Sequence, residues 1–395
     1  MKIIIAPDSF KGSLTAIEAA EAMADGVRSV YPAAELVLLP LADGGEGTVE
    51  AFVRATGGQR MTTAVSGPSS PSTANAAWAL LGPQGETAVI EMASAAGLTL
   101  LPYELRNPLN STTYGVGQLM LAAAHSGAKQ IIVGLGGSAT NDGGAGALQA
   151  MGVKFFDRAG KLIQRQLSGR DLIHIARMDM QDLSSAFSHL EIRIASDVSN
   201  PLLGDNGASA VYGPQKGATE SIVAELEAAM VSYSAVLKRD AGRDVSNWPG
   251  AGAAGGLGAG LMACFSATMV SGIDLILDTA GFDEKIQGAD FVFTGEGRLD
   301  SQTLHGKTIS GVVKRCQMGG SIPVIAFAGS VVTEAVATLG LSAAIGIAEG
   351  LPRDEAMRNA GRLLAEAAAR FMGTLVNDRK TTSSPNSGRS DPHTP

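Results

Sequence analysis

Between Asp290 and Lys307 the chain reads DFVFTGEGRLDSQTLHGK. An apolar run, Phe291 to Phe293, meets an expected Thr-Gly-Glu-Gly turn, and Arg298, Asp300, Ser301, Gln302, His305 and Lys307 follow within a few positions. So many charged and hydrogen-bonding side chains in one stretch have no packing explanation. An apolar strand running into a polar, glycine-bearing loop is how open α/β sheets place ligands at the carboxyl ends of their strands.

Four other loops have the same character. Asp8-Ser9-Phe10-Lys11-Gly12-Ser13 precedes a helix whose first amides favour anions, and Lys11 can place a point charge on a phosphate; the plainer reading is that Asp8 and Ser9 form a turn and cap the helix. Asp43-Gly-Gly-Glu46-Gly-Thr48 sets two carboxylates among glycines, suited to holding Mg²⁺ or positioning a lysine, although Asp-Gly is also a common turn. In Gly134-Leu-Gly-Gly-Ser-Ala-Thr-Asn-Asp-Gly-Gly144 the glycines Gly136 and Gly137 allow close backbone approach to a phosphate. Ser138, Thr140 and Asn141 add donors there, and Asp142 is a candidate metal ligand. Asp197 and Asn200 follow a strand, where Asp197 could deprotonate a hydroxyl, bind a metal or simply form an Asx turn.

Several familiar motifs fail. Gly306-Lys307-Thr308 resembles the end of a P-loop, but eight residues separate Gly297 from Gly306, so the required spacing is missing. Gly295-x-Gly297 lacks the third glycine of a dinucleotide fingerprint. His125, His174, His189 and His305 have no metal-ligand spacing, and Cys264 and Cys316 are far apart and form no C-x-x-C, which argues against zinc and against a disulfide framework. A reduced, cytoplasmic setting is expected.

The elements that must position these loops follow from the apolar pattern. Residues 2–7 form a continuous apolar run, a strand covered on both faces. Thr15 and Glu18 have capping-box spacing and start a helix that stops before Pro32. A strand at 35–41 leads to a helix from Thr48 to the Gly57-Gly58 pair. The texture changes near Arg60, with short strands expected at 74–81, 87–92, 130–133 and 191–195 and helices at 112–125 and 221–237. Strand character returns at Phe291, 324–328 and 343–347, and a last helix is expected at 354–375.

Five β-α units interrupted by a large insertion predict an α/β fold: a discontinuous, flavodoxin-like doubly wound parallel sheet domain, with a second α/β domain inserted. The expected order is 2-1-3-4-5, with the first and third strand ends flanking the switch point. The expected boundaries are 1–60 plus 286–377 for the first domain and 61–285 for the second. A tail at 378–395, rich in Ser, Thr, Pro and Asn, is expected to be disordered.

Composition narrows the function classes. The 395 residues are 45% hydrophobic and 17% charged, with 50 glycines, as in a compact, loop-rich enzyme. A formal net charge of −8 without a Lys/Arg cluster excludes the footprint of a nucleic-acid binder. The apolar N-terminus is cut short by Pro7, Asp8 and Lys11, so it reads as a strand and not a signal peptide. The uncharged stretch 245–273 has the length of a membrane span, but its glycines, Asn247, Pro249 and serines indicate a buried helix and loop.

Taken together, APDSFKGSL at 6–14, PLADGGEGT at 40–48, GLGGSATNDGG at 134–144, ASDVSNPLLG at 195–204 and FTGEGRLDSQTLHGK at 293–307 closely resemble the bacterial glycerate kinases of the first type, those of glyoxylate and glucarate/galactarate catabolism. The resemblance runs in the family's order over nearly the whole chain. It implies ATP-dependent, Mg²⁺-assisted phosphorylation of D-glycerate to 2-phosphoglycerate, although some members were formerly described as making the 3-phospho isomer.

Phosphoryl transfer asks mainly for positioning and charge neutralisation. On that basis Lys11 and Lys307 are candidate catalytic cations on the phosphates, and Asp197 or Asp300 is the base. Ser9, Gly136, Gly137, Ser138, Thr140, Asn141, Gly295 and Glu296 are expected at the nucleotide. Arg298, Asp8 and Asn200 are expected at glycerate, and Asp43 or Asp142 on the metal. The expected partners are D-glycerate and ATP, with no nucleic acid and no membrane; a homodimer is compatible with these features. The alternatives are a non-catalytic hydroxy-acid sensor, which would not need the carboxylate and metal loops, and a dehydrogenase, for which the fingerprint is missing.

Overall fold

The structure, a computed structural model, describes residues 1–382 except 43, 46, 301, 302, 304–307, 333–335 and 337, with side chains to residue 375. Its strands are β1 (Lys2–Ile5), β2 (Glu35–Leu38), β3 (Gln59–Ser66), β4 (Thr73–Leu81), β5 (Thr87–Glu91), β6 (Gln130–Gly134), β7 (Lys154–Phe156), β8 (Arg177–Asp179), β9 (Glu191–Ala195), β10 (Thr268–Val270), β11 (Phe291–Leu299), β12 (Val324–Val331) and β13 (Ala343–Gly346).

The first sheet is all parallel in the order β13-β12-β11-β1-β2, the doubly wound 2-1-3-4-5 arrangement, with β1 between β2 and β11. Side chains alternate across it. Ile3, Ile5, Phe293, Ile325 and Phe327 pack under helices Ala16–Val30 and Ala360–Thr382, while Ile4, Val292, Val324 and Ala326 face the other way. The second sheet runs β10-β9-β6-β5-β4-β3, parallel from β10 to β5 and antiparallel at β4 and β3. One of its faces packs under helices Tyr114–His125, Ala145–Ala150, Glu220–Asp240 and Ala253–Phe265.

The two sheets share a core. Ala79, Leu81, Val89, Ile132 and Ala195 of the second sheet belong to the same apolar cluster as Ile4, Val292 and Ala326, joined through Phe52 and through Ile273, Ile276, Phe282 and Val312. Arg315 reinforces this layer by pairing with Asp274, Asp278 and Asp283 on the two neighbouring short helices.

Local signals explain the ends of several elements. Thr15 accepts the Glu18 N–H while Glu18 accepts the Thr15 N–H, so both halves of the capping box form. The helix Thr48–Thr56 closes on Gly57 at φ +71°. The uncharged stretch near 245–273 contains a buried helix, and among the described residues no helix is long and apolar enough to cross a membrane.

Three expectations need correction. The Thr-Gly-Glu-Gly segment is not a turn, because β11 continues through it to Leu299 and pairs with β12 as far as Val331. Gly295 permits this, since a Cβ there would stand 2.4 Å from Phe327 O. The expected final helix is two, Arg353–Arg358 and Ala360–Thr382, the second running past Asp378, where the tail was expected to begin. Strand β3 was not anticipated.

Candidate active site

The chemistry-bearing loops form a continuous series along the carboxyl ends of the strands. Asp8 donates its N–H to Gly295 O at 2.8 Å, and a Cβ on Gly297 would lie 3.3 Å from Lys11 N, so the first loop lies against β11. Asp8 Oδ1 accepts the Ser9 N–H at 2.6 Å and Oδ2 the Thr308 hydroxyl at 2.5 Å. Glu296 Oε1 accepts the Thr303 hydroxyl at 2.5 Å, and Arg298 Nε stands 3.2 Å from Asp300 Oδ2. Asp8, Ser9, Lys11, Gly295, Glu296, Arg298 and Asp300 are therefore gathered where the adjacent central strands β1 and β11 run out, with Lys11 exposed.

From there Leu41 donates to Pro7 O at 2.9 Å, leading to the Gly44-Gly45 segment. Gly44 O accepts the Gly136 N–H at 3.1 Å, and the Leu135 N–H reaches Ala195 O at 3.4 Å. These approaches depend on glycine: a Cβ on Gly44 would stand 2.5 Å from Ala195 O, and one on Gly136 would stand 2.4 Å from Gly45 Cα. The loop after β2 is thus wedged against the ends of β6 and β9, which carry Ser138 and Asp197.

The glycine-rich loop after β6 is held from outside by Leu98 donating to Gly137 O and Ala139 donating to Ala96 O, both at 2.9 Å. Gly137 is the exposed residue of this loop, and Ser138 keeps only 8% of its surface exposed. Thr140 and Asn141, expected at the nucleotide, are instead fully buried: the Thr140 hydroxyl donates to Ala254 O at 3.5 Å and Asn141 Nδ2 to Ser209 at 3.1 Å. Among the described residues the backbone N–H groups of Thr140 and Asn141 find no acceptor.

Asp142, expected as a metal ligand, has no exposed surface and accepts from the Thr113 N–H and hydroxyl and from the Gly144 and Gly146 N–H groups. Burial pushes its pKa up, against the opposing effect of those bonds. These bonds tie the loop's backbone to Thr113. Asp197 Oδ1 accepts the Gly272 N–H at 3.3 Å, a long-range bond. Asn200 ties its own loop together, accepting the Tyr212 hydroxyl at 2.6 Å and donating to Asn206 O at 2.9 Å. Asp43, Glu46, Ser301, Gln302, His305, Gly306 and Lys307 lie outside the described residues.

Sequence reasoning missed two residues. Glu91, at the end of β5, accepts the Val49 N–H at 2.5 Å and so caps a helix of the first sheet from the second. Lys216 is 1% exposed and its Nζ donates to Thr140 O at 2.6 Å. In sequence Glu91 reads as an ordinary strand end, and Lys216 sits in a Gly-Pro-Gln-Lys-Gly turn that gives no sign of burial.

Glycine-fitted, charged loops gathered at the carboxyl ends of two largely parallel sheets define an enzyme of the open α/β class. The model of the glycerate kinase family matches residues 3–376, and the chain belongs to that family. It is 46% identical over 386 residues to a glycerate kinase of Halalkalibacterium halodurans, covering 96% of this chain and 99% of that one. It is 45% identical over 379 residues to a glycerate 2-kinase of Escherichia coli K12, covering 95% and 98%. A crystal structure from Salmonella typhimurium LT2, provisionally described as glycerate kinase 2, superposes with a TM-score of 0.83 at 42% identity, covering 96% of this chain and 99% of that one. Membership makes the protein a phosphotransferase that uses ATP.

Proposed function

We propose that the protein transfers the γ-phosphoryl group of ATP to D-glycerate and releases 2-phosphoglycerate. The observation that carries this reading is the glycine-to-glycine contact of Gly44-Gly45 with Gly136, which joins the loop that starts beside Pro7 to the strand ends that carry the Ser138 loop and Asp197. The names of the relatives, among them a glycerate 2-kinase, support the substrate and the product.

In this assignment Gly136, Gly137 and Ser138 approach the phosphates through backbone and hydroxyl donors, with Lys11 and Lys307 supplying positive charge. Arg298 takes the glycerate carboxylate as a planar fork, exchanging its contact with Asp300 for the substrate. Asp197 receives the proton of the attacking hydroxyl. It is preferred to Asp300 because β6 and β9 are adjacent, placing Asp197 beside the Ser138 loop, whereas Asp300 is paired with Arg298. Asp8 and Glu296 line the floor, and Asn200 shapes the Asp197 loop.

Mg²⁺ is part of the proposal. Among the described residues no cluster of three or more His, Cys, Asp or Glu could hold a metal. Mg²⁺ bound with a nucleotide needs only one or two carboxylates plus phosphate oxygens, so Asp8, Glu296 and, from the sequence, Asp43 fit the requirement. When bound, the ion would neutralise charge on the β and γ phosphates. The reading needs neither nucleic acid nor a membrane, suits the cytoplasm and is compatible with a homodimer.

The test is ATP consumption with D-glycerate, glucarate and glycerol. Turnover with D-glycerate alone is expected. Binding of glycerate without ATP consumption would overturn the reading and favour a sensor.

A further inference from the structure

Lys216 lies at the end of a short turn, Pro214–Lys216, closed by Gly217 at φ +90°. The turn is pressed against the chain at Arg106: a Cβ on Gly217 would lie 2.3 Å from Arg106 O. The lysine is directed inward, and its Nζ meets Thr140 O at 2.6 Å. The same carbonyl is closed off on another side by Gly255, where a Cβ would come within 2.0 Å of it. An apolar side chain would fill this space without the cost of desolvating an ammonium. What the lysine provides is a donor to one carbonyl of the glycine-rich loop.

That carbonyl belongs to the peptide whose N–H is on Asn141, one of the two N–H groups without an acceptor among the described residues. Donation to the oxygen fixes this peptide plane at the buried end of the loop, and with it the course of the preceding residues Gly136 to Ser138. Asp142, two residues on, holds the other side of the turn through its four bonds.

We propose that Lys216 is a positioning residue for nucleotide binding: it anchors the Thr140 carbonyl at the buried end of the glycine-rich loop and so fixes the segment Gly136, Gly137 and Ser138 that meets the phosphates of ATP. This rests on reading the glycine-rich loop as the phosphate site. Burial lowers the lysine's pKa to about 7. The neutral amine can still donate to the carbonyl, so the hold itself does not depend on the charge.

The test uses the full chain with Lys216→Met, which keeps length but removes the donor, and Lys216→Gln, which keeps an N–H. Affinity for a nonhydrolysable Mg·ATP analogue is measured by calorimetry, beside KM for ATP and for D-glycerate. Nucleotide Kd and ATP KM are expected to rise about tenfold in the methionine variant and about threefold in the glutamine variant, with the glycerate KM within twofold of wild type. The inference is overturned by nucleotide Kd and ATP KM within twofold of wild type in folded Lys216→Met, or in Lys216→Gln should the first not fold. Equal rises in both KM values would also overturn it, since these mark general loosening. If the wild type consumes no ATP with glycerate, the substrate reading fails separately, and the calorimetry still decides the role of Lys216.

Discussion

Replacing Gly136 by alanine adds one methyl group at the point where the two sheets' loops meet. Its Cβ would stand 2.4 Å from Gly45 Cα and 3.0 Å from Gly45 N. Carbon atoms pack at about 3.5 to 4.0 Å, so the loops must part by about 1 Å. Backbone faces backbone here, and no side chain can rotate away. Overpacking of this kind costs about 1–3 kcal/mol. The larger effect is expected in catalysis, because misplacing reacting groups by about 1 Å can lower the rate about 10²-fold.

Urea unfolding would measure the first quantity and steady-state kinetics the second. Gly373→Ala is the control: nothing lies within 4 Å of its added Cβ, and in a helix alanine is favoured by about 1 kcal/mol. It should leave kcat/KM unchanged. If Gly136→Ala kept kcat/KM within twofold of wild type, the claim that this contact aligns the two halves of the site would be refuted.

Asp197→Asn is expected to lower kcat by about 10²- to 10⁴-fold with little change in the melting curve, and normal turnover would move the base to Asp300. Arg315→Met leaves Asp274, Asp278 and Asp283 facing one another across the shared layer. Because the carboxylates are largely solvated, a loss of about 1–2 kcal/mol in urea unfolding is expected, and no loss would show the cluster to be incidental. Lys216 should make stability depend on pH. Its folded pKa of about 7 lies below its unfolded value, so between those values the unfolded chain binds more protons and stability rises with pH, by at most about 1.4 kcal/mol per unit. Unfolding of Lys216→Met should lack that rise above pH 7; an identical slope in both proteins would contradict the burial of the lysine.

The scaffold was legible because its signals are local. Ile3, Ile4 and Ile5 mark a strand covered on both faces, Thr15 and Glu18 a capped start, and Gly57 a helix end. The strand order followed from counting β-α units. The site was legible as loops and not as roles: Ser138 and Asp142 look alike as polar residues in one motif, yet Ser138 keeps a little exposed surface while Asp142 has none and is enclosed by four donors. Only the packing of Gly255, Tyr233 and Thr113 against that loop separates them. The course of β11 through Gly295 and Gly297 was missed because glycines that signal a turn locally can also admit a close neighbour, here Phe327. Lys216 depends on residues brought together from distant parts of the chain, which no spacing rule encodes.

On the proposed reading, this site transfers the γ-phosphoryl group of ATP to a hydroxyl of glycerate. That transfer is tested most directly by ³¹P and ¹H NMR of the product formed from D-glycerate and ATP. A phosphorus signal coupled to the single proton on C2 is expected, as in 2-phosphoglycerate. Coupling to the C3 methylene protons would contradict the assigned product, and the absence of any phosphorylated glycerate would contradict the function.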